Sequence, residues 1–167
     1  MERFRNRMKR KEKFRFKPVV MSEEDRLRQA GIKRASLEAW KPKTGLGSRV
    51  KSGEITSIDE ILNSGQRIME QEIVDFLLGD LSSDLLMIGQ AKGKFGGGQR
   101  RAFKQTQKKT AEGNKPSFAT MAVIGNRNGY IGIGYGKSKE TVLSREKALR
   151  NAKLNIIKIR RGCGSWQ

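Results

Sequence analysis

The sequence predicts an α+β fold: a three-stranded antiparallel sheet with helices on one face, preceded by a basic, extended N-terminal arm. Three observations carry this. Residues 118–137 hold two apolar runs around an Asn-Gly turn signal, residues 138–155 carry a helical apolar stripe, and residues 1–17 are dense in Arg and Lys.

The hairpin is the most informative stretch. Asn128-Gly129 suits the two positive-φ positions of a type I′ turn. Beyond it residues alternate strictly, with Ile131, Ile133 and Tyr135 on one face and Gly132, Gly134 and Gly136 on the other. The bare glycine face lets another backbone, a packed helix or a nucleic-acid strand approach closely. Gly136-Lys137-Ser138 resembles the end of a phosphate loop, but the required first glycine would stand at Ile131, and the glycines form no G-x-G-x-x-G.

The other elements follow in order. Residues 22–28 and 36–40 predict two short helices, and residues 41–47 a turn or extended chain. Residues 57–64 and 70–78 predict two further short helices. Ser57 with Glu60 forms a capping box for the first, and Ile73, Phe76 and Leu77 give the second its apolar stripe. Residues 84–91 predict the first strand, leading into a glycine-rich basic loop at 92–104 and a long basic connection at 105–116. Strands at 118–125 and 130–137 come next, then the helix, with Val142, Ala148, Leu149 and Ala152 on one face, and a further strand at Ile156–Ile159. The organisation is a basic extension (1–53), an acidic helical segment (54–86) and an α+β domain (84–167).

Charge identifies the class of partner. The formal net charge is +19 on 167 residues, far beyond what solubility requires, and points to a polyanion. Residues 1–53 carry 17 Lys/Arg against 6 Asp/Glu, residues 54–86 carry 1 against 8, and residues 87–167 carry 18 against 3. The polyanion should therefore touch both ends of the chain, while the acidic middle faces solvent or basic neighbours. Phe4, Phe14 and Phe16 in the arm could stack on bases or enter a groove of a neighbouring protein. No apolar run is long enough to span a membrane, and no hydrophobic stretch follows the basic start as a signal peptide requires.

Enzymatic chemistry finds no support. The chain has no histidine and a single cysteine, Cys163. Histidine-dependent triads, the usual Cys/His zinc sets and an intrachain disulfide are excluded, which fits a reducing compartment. Asp59, Glu60, Glu70, Glu72 and Asp75 read as helix caps and polar faces. No catalytic residue, metal ligand or cofactor is expected.

The candidate sites are expected to contact nucleic acid. Lys92, Lys94, Gly96, Gly97, Gly98, Arg100, Arg101 and Lys104 form a loop whose amides and long cations can approach a phosphate chain. Lys108 and Lys109 continue it, Asn126, Arg127 and Asn128 lie at the hairpin turn, Lys137 and Lys139 stand at the strand–helix junction, and Arg160 and Arg161 follow the last strand.

Several separated motifs resemble the ribosomal protein S-five family of the small subunit, in its archaeal form. They are the hairpin Val123–Glu140, the segment Asn151–Trp166, and the upstream stretches Trp40–Gly47, Ile55–Ile61 and Glu72–Asp75. The resemblance spans about residues 40–166. It implies a domain related to the double-stranded-RNA-binding fold, seated near the mRNA entrance, with the loop at 92–104 against ribosomal RNA near the head–body junction. It also implies neighbouring small-subunit proteins as partners, roles in assembly and translational accuracy, a cytoplasmic location within the ribosome, and no enzymatic reaction. The chain departs from the family in lacking its usual second α/β domain, either as a fragment or because another chain supplies it, and in a longer basic insert at 103–116. The alternative function is a free-standing double-stranded-RNA binder, a regulator or RNA chaperone outside the ribosome.

Overall fold

The computed structural model describes residues 22–90, 100–160 and 162. The first 21 residues, expected to form the arm and holding Phe4, Phe14 and Phe16, lie outside them. The chain divides into two compact units, Met1–Ala39 and Trp40–Gln167. In the first, one helix, α1 (Glu23–Glu38), replaces the two short helices expected. No proline interrupts it, and Gly31 inside it costs only about 1 kcal/mol relative to alanine.

The second unit opens with three short helices: α2 (Gly45–Lys51), α3 (Ile58–Asn63) and α4 (Gln71–Leu77). α2 was expected as turn or extended chain. Thr44 caps it, its hydroxyl accepting from the Gly47 amide at 3.1 Å, and Val50 anchors it in the core. Ser57 caps α3, but its hydroxyl accepts from the Asp59 amide at 3.2 Å rather than joining Glu60 in the expected capping box. Trp40 and Val50, assigned by sequence to the extension, are buried with Ile58, Ile61, Ile73 and Val74. The compact unit therefore begins at Trp40 rather than near residue 54.

Glu70 explains why that border moves. Its carboxylate accepts from Trp40 Nε1 (2.9 Å), Lys43 N (3.0 Å), Thr44 N (2.7 Å) and Thr44 Oγ1 (2.6 Å). One acidic side chain thus fixes the segment entering α2, and the Lys51 ammonium donates to the Trp40 carbonyl. Burial pushes the Glu70 carboxyl up, but donation from the Thr44 and Trp40 side chains and the Thr44 and Lys43 backbones outweighs it, and the net shift is downward from 4.5.

The sheet has five antiparallel strands rather than three: β1 (Ser82–Leu86), β2 (Phe103–Thr110), β3 (Gly113–Gly125), β4 (Tyr130–Ser138) and β5 (Ile156–Lys158). Their order is β1-β3-β4-β5, and β2 also pairs with β3. β1 pairs along Met121–Gly125, and β2 along Gly113–Thr120. The basic connection expected at 105–116 is therefore a two-stranded ribbon closing through Ala111-Glu112, with Gly113 at φ 120°. Its residues are mostly polar and give no apolar alternation to betray strands.

Helix α5 (Thr141–Leu154) lies on the glycine face of β4. A Cβ added at Gly132, Gly134 or Gly136 would stand 2.2 Å from the carbonyl oxygen of Ala152, Ala148 or Ser144 respectively. The periods match: two strand residues advance about 6.7 Å and four helix residues about 6.0 Å. Small residues at every second strand position thus meet small residues at every fourth helix position. Of the three occupants open to the glycine face, the packed helix is the one present. Ser144 is buried there, donating to the Gly136 carbonyl at 3.0 Å and sharing a 2.7 Å hydrogen bond with the Thr120 hydroxyl. Asn151 Nδ2 donates to the Tyr135 carbonyl at 2.8 Å, and Lys153 pairs with Asp75 of α4 at 2.6 Å. The opposite sheet face is open, and Ile133 there is 50% exposed.

Two outcomes are expected in urea unfolding. Gly134→Ala will destabilise by at least about 3 kcal/mol, because its Cβ meets helix backbone that cannot rotate aside, whereas Ile133→Val will cost under about 1 kcal/mol at its half-exposed site. Glu70→Gln will cost about 2 kcal/mol at pH 7, as charge-assisted hydrogen bonds weaken. Since the folded carboxyl lies below 4.5, this stabilisation is full above that value and lost as pH falls through the folded value. The gap between the two proteins will close in acid, and a gap that stays constant as the carboxyl protonates would contradict the assignment.

Candidate nucleic-acid interface

Expected contacts Lys92, Lys94, Gly96, Gly97, Gly98 and Arg161 lie outside the described residues. The base of the glycine-rich loop is defined. Gly89 N donates to the Arg101 carbonyl at 2.7 Å, and a Cβ at Gly89 would meet the Phe103 carbonyl at 2.3 Å. The loop therefore leaves and re-enters through one pinch, with Arg100 and Arg101 exposed at its exit.

The ribbon sorts its side chains by register. Lys108 stands opposite Lys115, Thr106 opposite Ser117, and Lys104 opposite Ala119, which on its other side faces Lys137. Since direct partners share a face and residues two apart repeat it, Lys104, Lys108, Lys115 and Lys137 all lie on the same side. Between them Thr106 and Ser117 share a 2.9 Å hydroxyl–hydroxyl contact. The one carboxylate near the tip, Glu112, pairs with Lys115 at 2.9 Å, both side chains well exposed. Lys109 falls on the other face, opposite Asn114. Lys115 was absent from the sequence reading, because a residue in a presumed loop has no cross-strand partner to reveal it.

The hairpin turn holds a second set about ten residues further along β3, roughly 33 Å at strand rise. Arg127 (φ 56°) and Gly129 (φ 103°) take the positive-φ positions, in place of the Asn128-Gly129 pair expected. The reason is Asn126, whose Oδ1 accepts from Asn128 N (2.8 Å) and Tyr130 N (3.2 Å), closing a four-residue loop. Asn126 thus serves the turn, while Arg127 and Asn128 are exposed. Asp59 braces this end, accepting from the Tyr130 hydroxyl and the Lys158 ammonium, each at 2.7 Å. Those two hydrogen bonds hold the Asp59 carboxyl below its ordinary value, Lys158 first. Reciprocally, the hydrogen bond to Asp59 raises both the Tyr130 phenol and the Lys158 ammonium. Lys139 is exposed just before α5, and Arg160 lies past β5. The cations form two ends of one sheet, not a single patch.

At the hairpin-turn end lies an open groove of about 500 Å³ lined by Val123, Ile131, Tyr130 and Ile159, with Asp84 and Arg127 beside them. Its mostly apolar wall offers little to a phosphate. Among the described residues no group of three or more His, Cys, Asp or Glu could hold a metal ion, and no helix is long and apolar enough to cross a membrane.

Residues 102–160 match the family model "Ribosomal protein S5, N-terminal domain". Curated relatives agree, each described as small ribosomal subunit protein uS5. That of Nanoarchaeum equitans is 47% identical over 132 residues, covering 79% of this chain and 56% of the relative. That of Methanoregula boonei is 44% identical, covering 77% and 55%, and that of Aeropyrum pernix 43% identical, covering 84% and 56%. The chain belongs to the ribosomal protein S5 family. It spans just over half the length of these relatives. Residues 103–116, expected to be a basic insert longer than the family's usual connection, lie inside the matched residues, while most of the glycine-rich loop precedes them.

The brace at Asp59 gives a local expectation. Asp59→Ala will speed hydrogen exchange at the Ile159 amide, which donates to the Gly129 carbonyl at 2.7 Å, and leave exchange at Thr106 and Ser117 unchanged. Equal acceleration at both places would mean that Asp59 supports the whole sheet.

Proposed function

We propose that this protein is a structural component of the small ribosomal subunit that binds ribosomal RNA. Its ribbon of β2 and β3 and its strand–helix junction at Lys137 and Lys139 act as phosphate-binding elements.

The observation that carries the reading is the ribbon itself. From Lys104 to Lys109 and from Gly113 to Pro116 every residue is exposed, so no core packing holds it. A lone two-stranded hairpin is marginal in water, and Lys108 directly opposite Lys115 adds like-charge repulsion. A polyanion on that face removes the repulsion and supplies the missing partner. Each phosphate neutralised releases condensed counterions, which is the main source of affinity. Thr106 and Ser117 add hydroxyls between the cations for phosphate or 2′-hydroxyl contact.

The finer parts of the proposal rest on the family. They are the relation to the double-stranded-RNA-binding fold, a seat near the mRNA entrance and head–body junction beside other small-subunit proteins, and roles in assembly and accuracy. The relatives' printed names supply the small subunit, and the net charge of +19 supports a nucleic-acid partner. No catalytic step is assigned. The glycine-rich loop and residues 1–21 are proposed as further RNA contacts on charge alone.

Two measurements test this. Tagged protein should co-sediment with small subunits through a moderate-salt gradient, whereas recovery only at the top of the gradient would favour the free-standing RNA binder. Lys108→Ala with Lys115→Ala should flatten the log–log salt dependence of RNA binding by about 1.4–1.8, two phosphates' worth. Thermal stability should hold or rise, because a repulsive pair is removed. An unchanged slope would place the RNA elsewhere.

A further inference from the structure

The ribbon has a second face. Gln105, Gln107 and Lys109 of β2 stand opposite Phe118, Pro116 and Asn114 of β3, on the side away from Lys104, Lys108 and Lys115. Gln105, Gln107 and Asn114 are exposed, and among the described residues none of their side-chain amides makes a hydrogen bond. The two faces therefore differ in chemistry, one bearing ammonium groups and hydroxyls, the other three amides and a single lysine beside Pro116 and Phe118.

Resting on the RNA-binding reading above, we propose that this amide face reads base edges, while the lysine face holds phosphates. An amide carries no charge to neutralise a phosphate, but it presents a donor and an acceptor side by side, the pattern that pairs with the edge of a base, adenine above all. Gln105 and Gln107 project two residues apart, about 6.7 Å along the strand. Asn114 extends the row across the strands, opposite Lys109. The ribbon is two strands wide and bare on both sides, so it can enter between a backbone and the bases behind it. The major groove of regular A-form RNA is too deep and narrow for side chains to read. The ligand class is therefore a bulge, internal loop or widened groove of a structured RNA, with unpaired bases on the amide side, and not a continuous duplex.

The experiment measures binding of the full chain to a small-subunit rRNA transcript and to an unrelated structured RNA of equal length, each across a salt series. Gln105→Ala with Gln107→Ala should bring the two affinities together, lowering preference for the rRNA transcript roughly tenfold, with the salt slope unchanged. Lys108→Ala with Lys115→Ala should weaken both RNAs alike and keep the preference. The glutamines are exposed, so the variant is expected to fold, and an unchanged circular dichroism melt will confirm that. If the glutamine variant keeps the full preference, the amide face is merely solvated and the inference is wrong, even where the lysine variant behaves as described. If the wild-type chain binds neither RNA, or binds both equally, the base-reading inference fails as well. Loss of binding to both RNAs also removes the proposed function.

Discussion

In the centre of the sheet the backbone of α5 rests on the backbone of β4, with Gly132, Gly134 and Gly136 leaving no side chain between them. Much else is positioned by that contact. It sets the height of α5, which brings Ala152 into the core beside Ile124 and Ile156. It also brings Lys153 to Asp75 and seats the buried Thr120–Ser144 hydroxyl pair. A contact between two backbones has no side chain that can rearrange, so it is stiff. That stiffness belongs to the sheet centre and does not extend to the exposed ribbon, which no core packing holds.

Charge is divided by the same scaffold. The acidic stretch 54–86 does not simply face solvent or basic neighbours, because several of its carboxylates are engaged within the chain. Asp59 holds Tyr130 and Lys158, Glu70 holds the Trp40–Thr44 segment, Asp75 holds Lys153, and Glu54 pairs with Arg49. Exposed pairs such as Arg49–Glu54 contribute little. Glu70 is different, since four donors converge on it in a partly buried place. Folding thus consumes a share of the negative charge internally and leaves the ribbon lysines facing outward.

Where side chains alternate or recur at helical spacing, the sequence was readable. The strands around Val123 and Ile133, the helix carrying Ala148 and Ala152, and the Ser57 cap all follow from local pattern. The ribbon was not readable, because Lys, Gln and Thr on both of its faces erase the alternation that burial normally imposes. The border at Trp40 was hidden for another reason. Its cause, Glu70, lies thirty residues away, and no local rule connects them. The turn was half legible: Gly129 takes its positive φ as expected, but the Asn126 side chain moves the other positive φ to Arg127. Within the candidate site, Lys104, Lys108 and Lys137 were expected from sequence as separate contacts, and only the cross-strand register puts them with Lys115 on one side.

Asn151 gives the fold a property unrelated to RNA. β5 covers β4 only from Tyr130 to Gly132, so the rest of that strand is an edge that another chain could extend. By donating to the Tyr135 carbonyl, Asn151 withdraws one acceptor from that edge. In this chain one amide on the helix takes that acceptor out of reach of a pairing strand.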